Sequence, residues 1–163
     1  MDFCLKKPLS RIQRLNRATI LEAALDVFSS YCFRGAKLDL IAKKAGLSKP
    51  SILYYFDVKE SIHVVLVRQV LDTWLTPLRE LDPQGELIKE LMRYIRRKLQ
   101  MSREYPRESR LFANEIVQGT PRIEGFLRVE LREFVDEKAK TIDKWMQVGK
   151  LRKLDSHHLL FSI

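Results

Sequence analysis

Cysteine, glycine, proline and long apolar runs are all scarce in this chain, and each scarcity removes a class of protein. Only Cys4 and Cys32 occur among 163 residues, and no metal-binding spacing links them, so a disulfide-dense scaffold and a zinc module are both excluded. They read as thiols of a reducing compartment, with a single disulfide between them left open. Six glycines and six prolines are too few for a collagen-like or low-complexity chain. No apolar run approaches the roughly 20 residues of a membrane span. The opening MDFCLKKPLSRIQRLNR carries charge but lacks the apolar segment of a secretory signal. The expectation is a cytoplasmic protein with no membrane partner. Walker A and nucleophile-elbow patterns are also missing, so the chain is read as not an enzyme and as carrying no cofactor.

Charge is abundant. Charged residues make up 31% of the chain, and the net charge is +9, which points toward a polyanionic partner. The excess is concentrated: residues 1–60 hold 11 Lys and Arg against 6 Asp and Glu, and the longer remainder holds 19 against 15.

Apolar residues recur at helical spacing throughout, with no alternating strand pattern, so the fold class is all-α. A first helix over about 12–31 carries Ile20, Ala23, Ala24, Val27 and Phe28 on one stripe. A short helix over 38–45 turns Leu38, Ile41, Ala42 and Ala45 inward. After the turn Gly46-Leu47-Ser48, a second short helix covers about 49–56. Asp57, with Glu60 three residues later, is placed to cap a helix reaching about residue 80. That helix is apolar over a wide arc (Val64, Val65, Leu66, Val67, Val70, Leu71, Trp74, Leu75, Leu78), and Pro77 is expected to bend or end it. Asp82-Pro83 is read as opening a helix over 84–104. A shorter one follows over 107–118, and a long one over 121–149 with Leu127, Leu131, Phe134, Val135, Ile142, Trp145 and Met146 inward. Asp155 caps a last helix that stops on Leu-Leu-Phe-Ser-Ile.

Two short helices joined by a glycine turn form a helix-turn-helix. Gly46 permits the turn, Leu47 fills the angle, and Ser48 can cap the second helix. Ile52 and Phe56 face inward, leaving Lys49, Pro50, Ser51, Leu53, Tyr54 and Tyr55 on outward arcs. In this geometry the second helix enters the DNA major groove, while hydroxyls and ammoniums at its ends meet phosphates. Tyr54 and Tyr55, side by side, then have a use: each ring packs while its phenol reaches a phosphate.

The run IAKKAGLSKPSILYYFDVKESI resembles the DNA-binding segment of TetR-family transcriptional regulators, and ILEAALDVFSSYCFRG resembles the family's first helix with its aromatic-Gly exit. The resemblance implies a TetR-like architecture. A three-helix DNA-binding domain over 1–60 would be joined to a helical ligand-binding and dimerisation bundle over 61–163. The homodimer, probing a palindromic double-stranded DNA operator, would act as a repressor released by a small ligand. Family members continue for two further helices, so the bundle is expected to be incomplete at its C-terminus. A narrower resemblance, to the pyrimidine-utilisation regulators within the family, rests on ILYYF, VLVRQVLDTWLTPL, IRRKLQMSREYPRESRLFANEI and VDEKAKTIDKWMQVGKL. It implies uracil or thymine as the effector.

The chain departs from the family pattern at three points. Leu53 stands where a tyrosine is frequent and could touch a thymine methyl instead. Ala36 and Lys37 replace a capping Thr or Ser, which puts the Lys37 ammonium where a phosphate-binding hydroxyl would be. Cys32 replaces the usual glycine at the end of the first helix, where a left-handed backbone would cost on the order of 1 kcal/mol.

The DNA-contacting set is therefore Lys37, Ser48, Lys49, Pro50, Ser51, Leu53, Tyr54, Tyr55 and Lys59. A basic arm of Lys6, Lys7, Arg11, Arg14 and Arg17 either reaches the backbone or minor groove or is merely a solvated tail. Trp74, Leu78, Phe112 and Trp145 either build the core or line an effector pocket oriented by Asn114 and Glu115. His157 and His158, about 100° apart on a helix, cannot form a ligand pair, and His63 stands alone, so no metal is expected. Two rivals remain: a helical interaction module that keeps the fold without operator binding, and a small helical-bundle enzyme.

Overall fold

The computed structural model describes residues 10–119, 124–126 and 131–162, and all regular structure among them is helical. The elements are α1 (Arg11–Gly35), α2 (Leu38–Ala45), α3 (Lys49–Tyr55), α4 (Lys59–Arg79), α5 (Leu87–Glu104), α6 (Pro106–Val117), α7 (Glu124–Phe126), α8 (Arg132–Gln147) and α9 (Ser156–Ser162). The chain divides into two compact units, Met1–Leu66 and Val67–Ile163, with the boundary inside α4.

The first unit is organised around α1. Its helix begins with a complete capping box: the Ser10 hydroxyl accepts from Gln13 N, and the Gln13 amide accepts from Ser10 N. This Ser-x-x-Gln signature is legible in the sequence and explains why the helix starts at Arg11. Ile20, Ala24, Phe28, Ile41, Ile52 and Ile62 are fully buried, and Ala23 and Ala42 keep the flanking surfaces low enough for close helix approach. Lys44 of α2 pairs with Asp26 of α1 at 2.8 Å. The end of α1 is kinked at Cys32, which adopts φ 52° and ψ 178°, a region that favours glycine and costs other residues of order 1–3 kcal/mol. The strain expected from the sequence is present. The α2–α3 turn closes on Gly46 at φ 65°, with Leu47 N donating to Ala42 O and Gly46 N to Lys43 O, the paired bonds of a Schellman stop.

The second unit has its own core: Leu78, Leu81, Leu87, Tyr94, Val135, Ala139, Ile142, Trp145 and Leu160, flanked by half-buried Leu91, Leu131, Phe134, Met146, Leu151 and Leu159. Gly149, at φ 73°, ends α8 in a second Schellman stop, with Lys150 N on Trp145 O and Gly149 N on Met146 O. Asp155 caps α9 as expected, its carboxylate accepting from His158 N at 2.8 Å. That bond is the main cause of its lowered pKa.

Three expectations are corrected. Pro77 does not end α4, which runs on to Arg79; a proline near a helix C-terminus removes only one bond of the last turn. Asp82-Pro83 does not open a helix. The Asp82 carboxylate accepts from Gln84 N at 2.9 Å and its carbonyl from Gly85 N, making an Asx turn, and α5 starts three residues later than read. A cap and an Asx turn share the same residue types. Asp57 is not directly followed by helix, since α4 begins at Lys59. The span read as one helix over 121–149 is described only as α7 and α8; Leu127 lies outside the described residues.

Candidate nucleic-acid interface

α3 is positioned by its two ends. At its start the Ser48 hydroxyl accepts from Ser51 N at 3.2 Å and lies 2.7 Å from the Ser51 hydroxyl, so the expected cap is present. Pro50 occupies the first turn, where its missing N–H costs nothing. Ile52 and Phe56 are buried, and they set the rotation of the helix. Lys49, Pro50, Leu53 and Tyr54 are consequently exposed, with Ser51 and Tyr55 half-buried. Tyr54 is 69% and Leu53 39% exposed. The Lys49 ammonium sits 3.3 Å from the Asp39 carboxylate on α2, both exposed, a pairing worth only about 0.2–1 kcal/mol and easily exchanged for another acceptor. Lys37 lies just before α2, exposed and without a side-chain cap on that helix.

The other end of α3 is held by one face of α1. Gln13 Nε2 donates to the Tyr54 hydroxyl at 3.0 Å, and Asn16 Nδ2 donates to the Tyr55 hydroxyl at 3.2 Å. The Arg17 guanidinium lies 5.1 Å from the Phe56 ring centroid. Gln13, Asn16 and Arg17 fall at i, i+3 and i+4, one helix face, and meet residues 54, 55 and 56 in order. The two tyrosine rings pack edge to face at 5.1 Å. Sequence reading missed Gln13 and Asn16 as members of the site; the Ser10 capping box was the only local signal of Gln13.

Lys59 and part of the basic arm are tied into the fold. The Lys59 ammonium donates to Phe33 O at 2.8 Å and Ala36 O at 2.7 Å, and lies 4.3 Å from the Phe33 ring. It closes the carbonyl end of α1 and is a staple of the fold, because a cation beside unsatisfied helix-end carbonyls is stabilised there. Of the basic arm, Arg11, Arg14 and Arg17 belong to the first two turns of α1, with Arg11 and Arg14 exposed and Arg17 half-buried against Phe56. Lys6 and Lys7 lie outside the described residues. His63 is buried between Phe28 and Phe33 in edge-to-face packing. His157 is held 2.7 Å from Asp136.

In the second unit, Leu78 and Trp145 belong to the core cluster. Trp74 is half-buried one turn before Leu78 on α4, with the Lys98 ammonium 4.9 Å from its ring; desolvation lowers the pKa of Lys98. On α6, Phe112 and Asn114 are half-buried and Glu115 is buried. Trp74 Nε1 and Trp145 Nε1 are buried donors that meet no acceptor among the described residues.

Residues 20–64 match the pattern of bacterial regulatory proteins of the tetR family, and residues 67–163 match the C-terminal region of YcdC-like proteins. The chain is 42% identical over 154 residues to the HTH-type transcriptional regulator RutR of Escherichia coli strain K12, covering 94% of this chain and 73% of that protein. It is a TetR-family transcriptional regulator. The TetR fold agrees: Salmonella enterica GusR superimposes with a TM-score of 0.73 at 20% identity, over 97% of this chain and 81% of that one. A TetR-like regulator from Rhodococcus sp. RHA1 gives 0.69 at 20% identity, over 87% and 76%. DNA binding and transcriptional regulation are the activity of this family, and dimerisation and ligand response are typical of it.

Proposed function

We propose that this regulator is an operator-binding homodimeric repressor, released from DNA by a pyrimidine base. The observation that carries the DNA half is the orientation of α3: with Ile52 and Phe56 buried, Lys49, Pro50, Leu53 and Tyr54 project outward. Lys49 and Ser51 would read base edges, with Leu53 against a thymine methyl. Tyr54 and Tyr55, with Arg11, Arg14 and Lys37, would meet phosphates. Two α3 helices of a dimer would engage half-sites one helical turn apart.

The effector half is supported by the similarity to RutR and by the two indole donors. A buried donor left unmatched costs about 1–3 kcal/mol, and a pyrimidine base offers planar faces and carbonyl acceptors suited to Trp74 and Trp145. The response is read through α4. Its first turn is tied to the end of α1 by Lys59, so a tilt of α4 would move α1 and, with it, the side chains that hold α3. Function on this reading is the binding of operator and effector.

Selection of bound DNA from a random pool, followed by release with uracil or thymine, tests both halves. The expected outcome is a palindromic site whose complex dissociates on addition of uracil. Trp145→Phe, which keeps a ring and removes the donor, should weaken uracil binding about tenfold, the loss of one buried hydrogen bond. No selected sequence would overturn the DNA half, and no uracil binding by calorimetry would overturn the effector half.

A further inference from the structure

We infer that Gln13 and Asn16 of α1 are positioning residues that set the polarity of the hydrogen bonds Tyr54 and Tyr55 offer to DNA, an inference that rests on the reading of these tyrosines as phosphate contacts. A phenol has one O–H donor and two lone pairs, so it can serve a neighbour either way. A phosphate oxygen has no proton and only accepts. A tyrosine whose O–H is spent on a protein acceptor therefore turns lone pairs toward the phosphate and repels it.

The structure resolves this choice in favour of DNA. The Gln13 and Asn16 amide nitrogens face the two phenol oxygens at 3.0 and 3.2 Å. An amide NH2 can only donate, so each phenol accepts from α1 and retains its own O–H for an outside acceptor. Gln13 cannot be turned around: its Oε1 accepts from Ser10 N at 2.9 Å as half of the capping box, which leaves Nε2 as the atom facing Tyr54. Accepting a bond also polarises the phenol and strengthens its O–H as a donor. The capping box thus has two outputs: it starts α1, and it fixes the Tyr54 hydroxyl, 41 residues away in sequence.

The discriminating variant is Gln13→Glu. Glutamate serves the third position of a capping box as well as glutamine, so helix initiation survives, while the group facing Tyr54 becomes an acceptor that takes the phenol proton. A double-mutant cycle with Tyr54→Phe, measured by operator affinity on the whole protein, reads the coupling. In the wild type, Tyr54→Phe should weaken binding about fivefold on every DNA sequence, the size of one net hydrogen bond. In the Gln13→Glu background the same change should have an effect of at most about 1.5-fold, because the hydroxyl is already withdrawn. Gln13→Met, which removes the donor without adding charge, should shrink the Tyr54→Phe effect as well, and it supplies the reading if Gln13→Glu is poorly folded. Asn16→Asp with Tyr55→Phe is the parallel cycle. An unchanged Tyr54→Phe penalty in both Gln13 backgrounds would overturn the inference and leave the phosphate contact standing. No penalty in the wild type would overturn the phosphate contact itself.

Discussion

The two units place their functional candidates in opposite ways. In the first, the candidates are exposed: Tyr54 and Leu53 stand out from α3. In the second, Trp145 is 2% exposed and Glu115 1%, and the indole donors of Trp74 and Trp145 are buried without an acceptor among the described residues. A surface that meets a large rigid polyanion has to present its groups in advance, whereas a site for a small planar molecule has to enclose it. Exposure is therefore the informative signal in one unit and burial in the other.

The strongest way to break this comparison is to empty each core and see which activity fails. Ile52→Ala in the first unit and Ile142→Ala in the second remove fully buried side chains, and each should cost about 2–5 kcal/mol in urea unfolding. Ile52→Ala should also abolish sequence-selective DNA retention, because Ile52 sets the rotation of α3. Retained selectivity in a folded Ile52→Ala protein would show that α3 is oriented by its ends alone.

The next effect separates stability from recognition within the first unit. Cys32→Gly relieves a backbone at φ 52° and should raise stability by about 1–3 kcal/mol with operator preference unchanged. Calorimetric melting and DNA selection check the two parts. A fall in stability would mean that the Cys32 side chain contributes more than its backbone costs.

Lys59→Met should lower stability by about 1–2 kcal/mol, since Phe33 O and Ala36 O lose a charged donor. The salt dependence of DNA binding should keep its slope, because this ammonium serves the end of α1 and not a phosphate. Lys49→Ala, by contrast, should change which operator is preferred with little change in stability. A salt slope reduced by about one in Lys59→Met would return Lys59 to the set of phosphate contacts.

The smallest effect belongs to the second unit. The Asp155 pKa is lowered from 3.8, chiefly by the His158 N–H. A carboxyl whose folded pKa is depressed contributes stability that is fully present above its unfolded value, so the contribution should be complete above about pH 4 and fade as pH falls through the lowered pKa. Asp155→Ala should flatten this acid limb of the stability profile and lower stability by a constant amount at every pH above it. An unchanged acid limb would show that the cap does not hold α9 in solution.

Legibility followed the range of the interaction. The 3–4 spacing of Ile20, Ala24, Val27 and Phe28, the Gly46 turn, the Ser48 and Asp155 caps and the strain at Cys32 were all readable, since each depends on neighbours within a turn or two. Asp82 was misread because a helix cap and an Asx turn begin with the same residues. Lys59 was only half legible for a different reason: an ammonium near a DNA-binding helix looks like a phosphate ligand, and no spacing along the chain places the carbonyls of Phe33 and Ala36 beside it.

The sequence by itself determined an all-helical chain, a helix-turn-helix with Ile52 and Phe56 inward, and a family resemblance strong enough to name, because local periodicity and turn chemistry act between residues close in the chain. Only the tertiary structure decided that the Tyr54 and Tyr55 hydroxyls accept from α1 and that the Lys59 ammonium lies on the carbonyls of Phe33 and Ala36. Gln13 meets Tyr54 across 41 residues, Asn16 meets Tyr55 across 39 and Lys59 meets Phe33 across 26. Hydrogen-bond polarity is set by which groups the packed helices bring within about 3 Å, and no spacing along the chain records that.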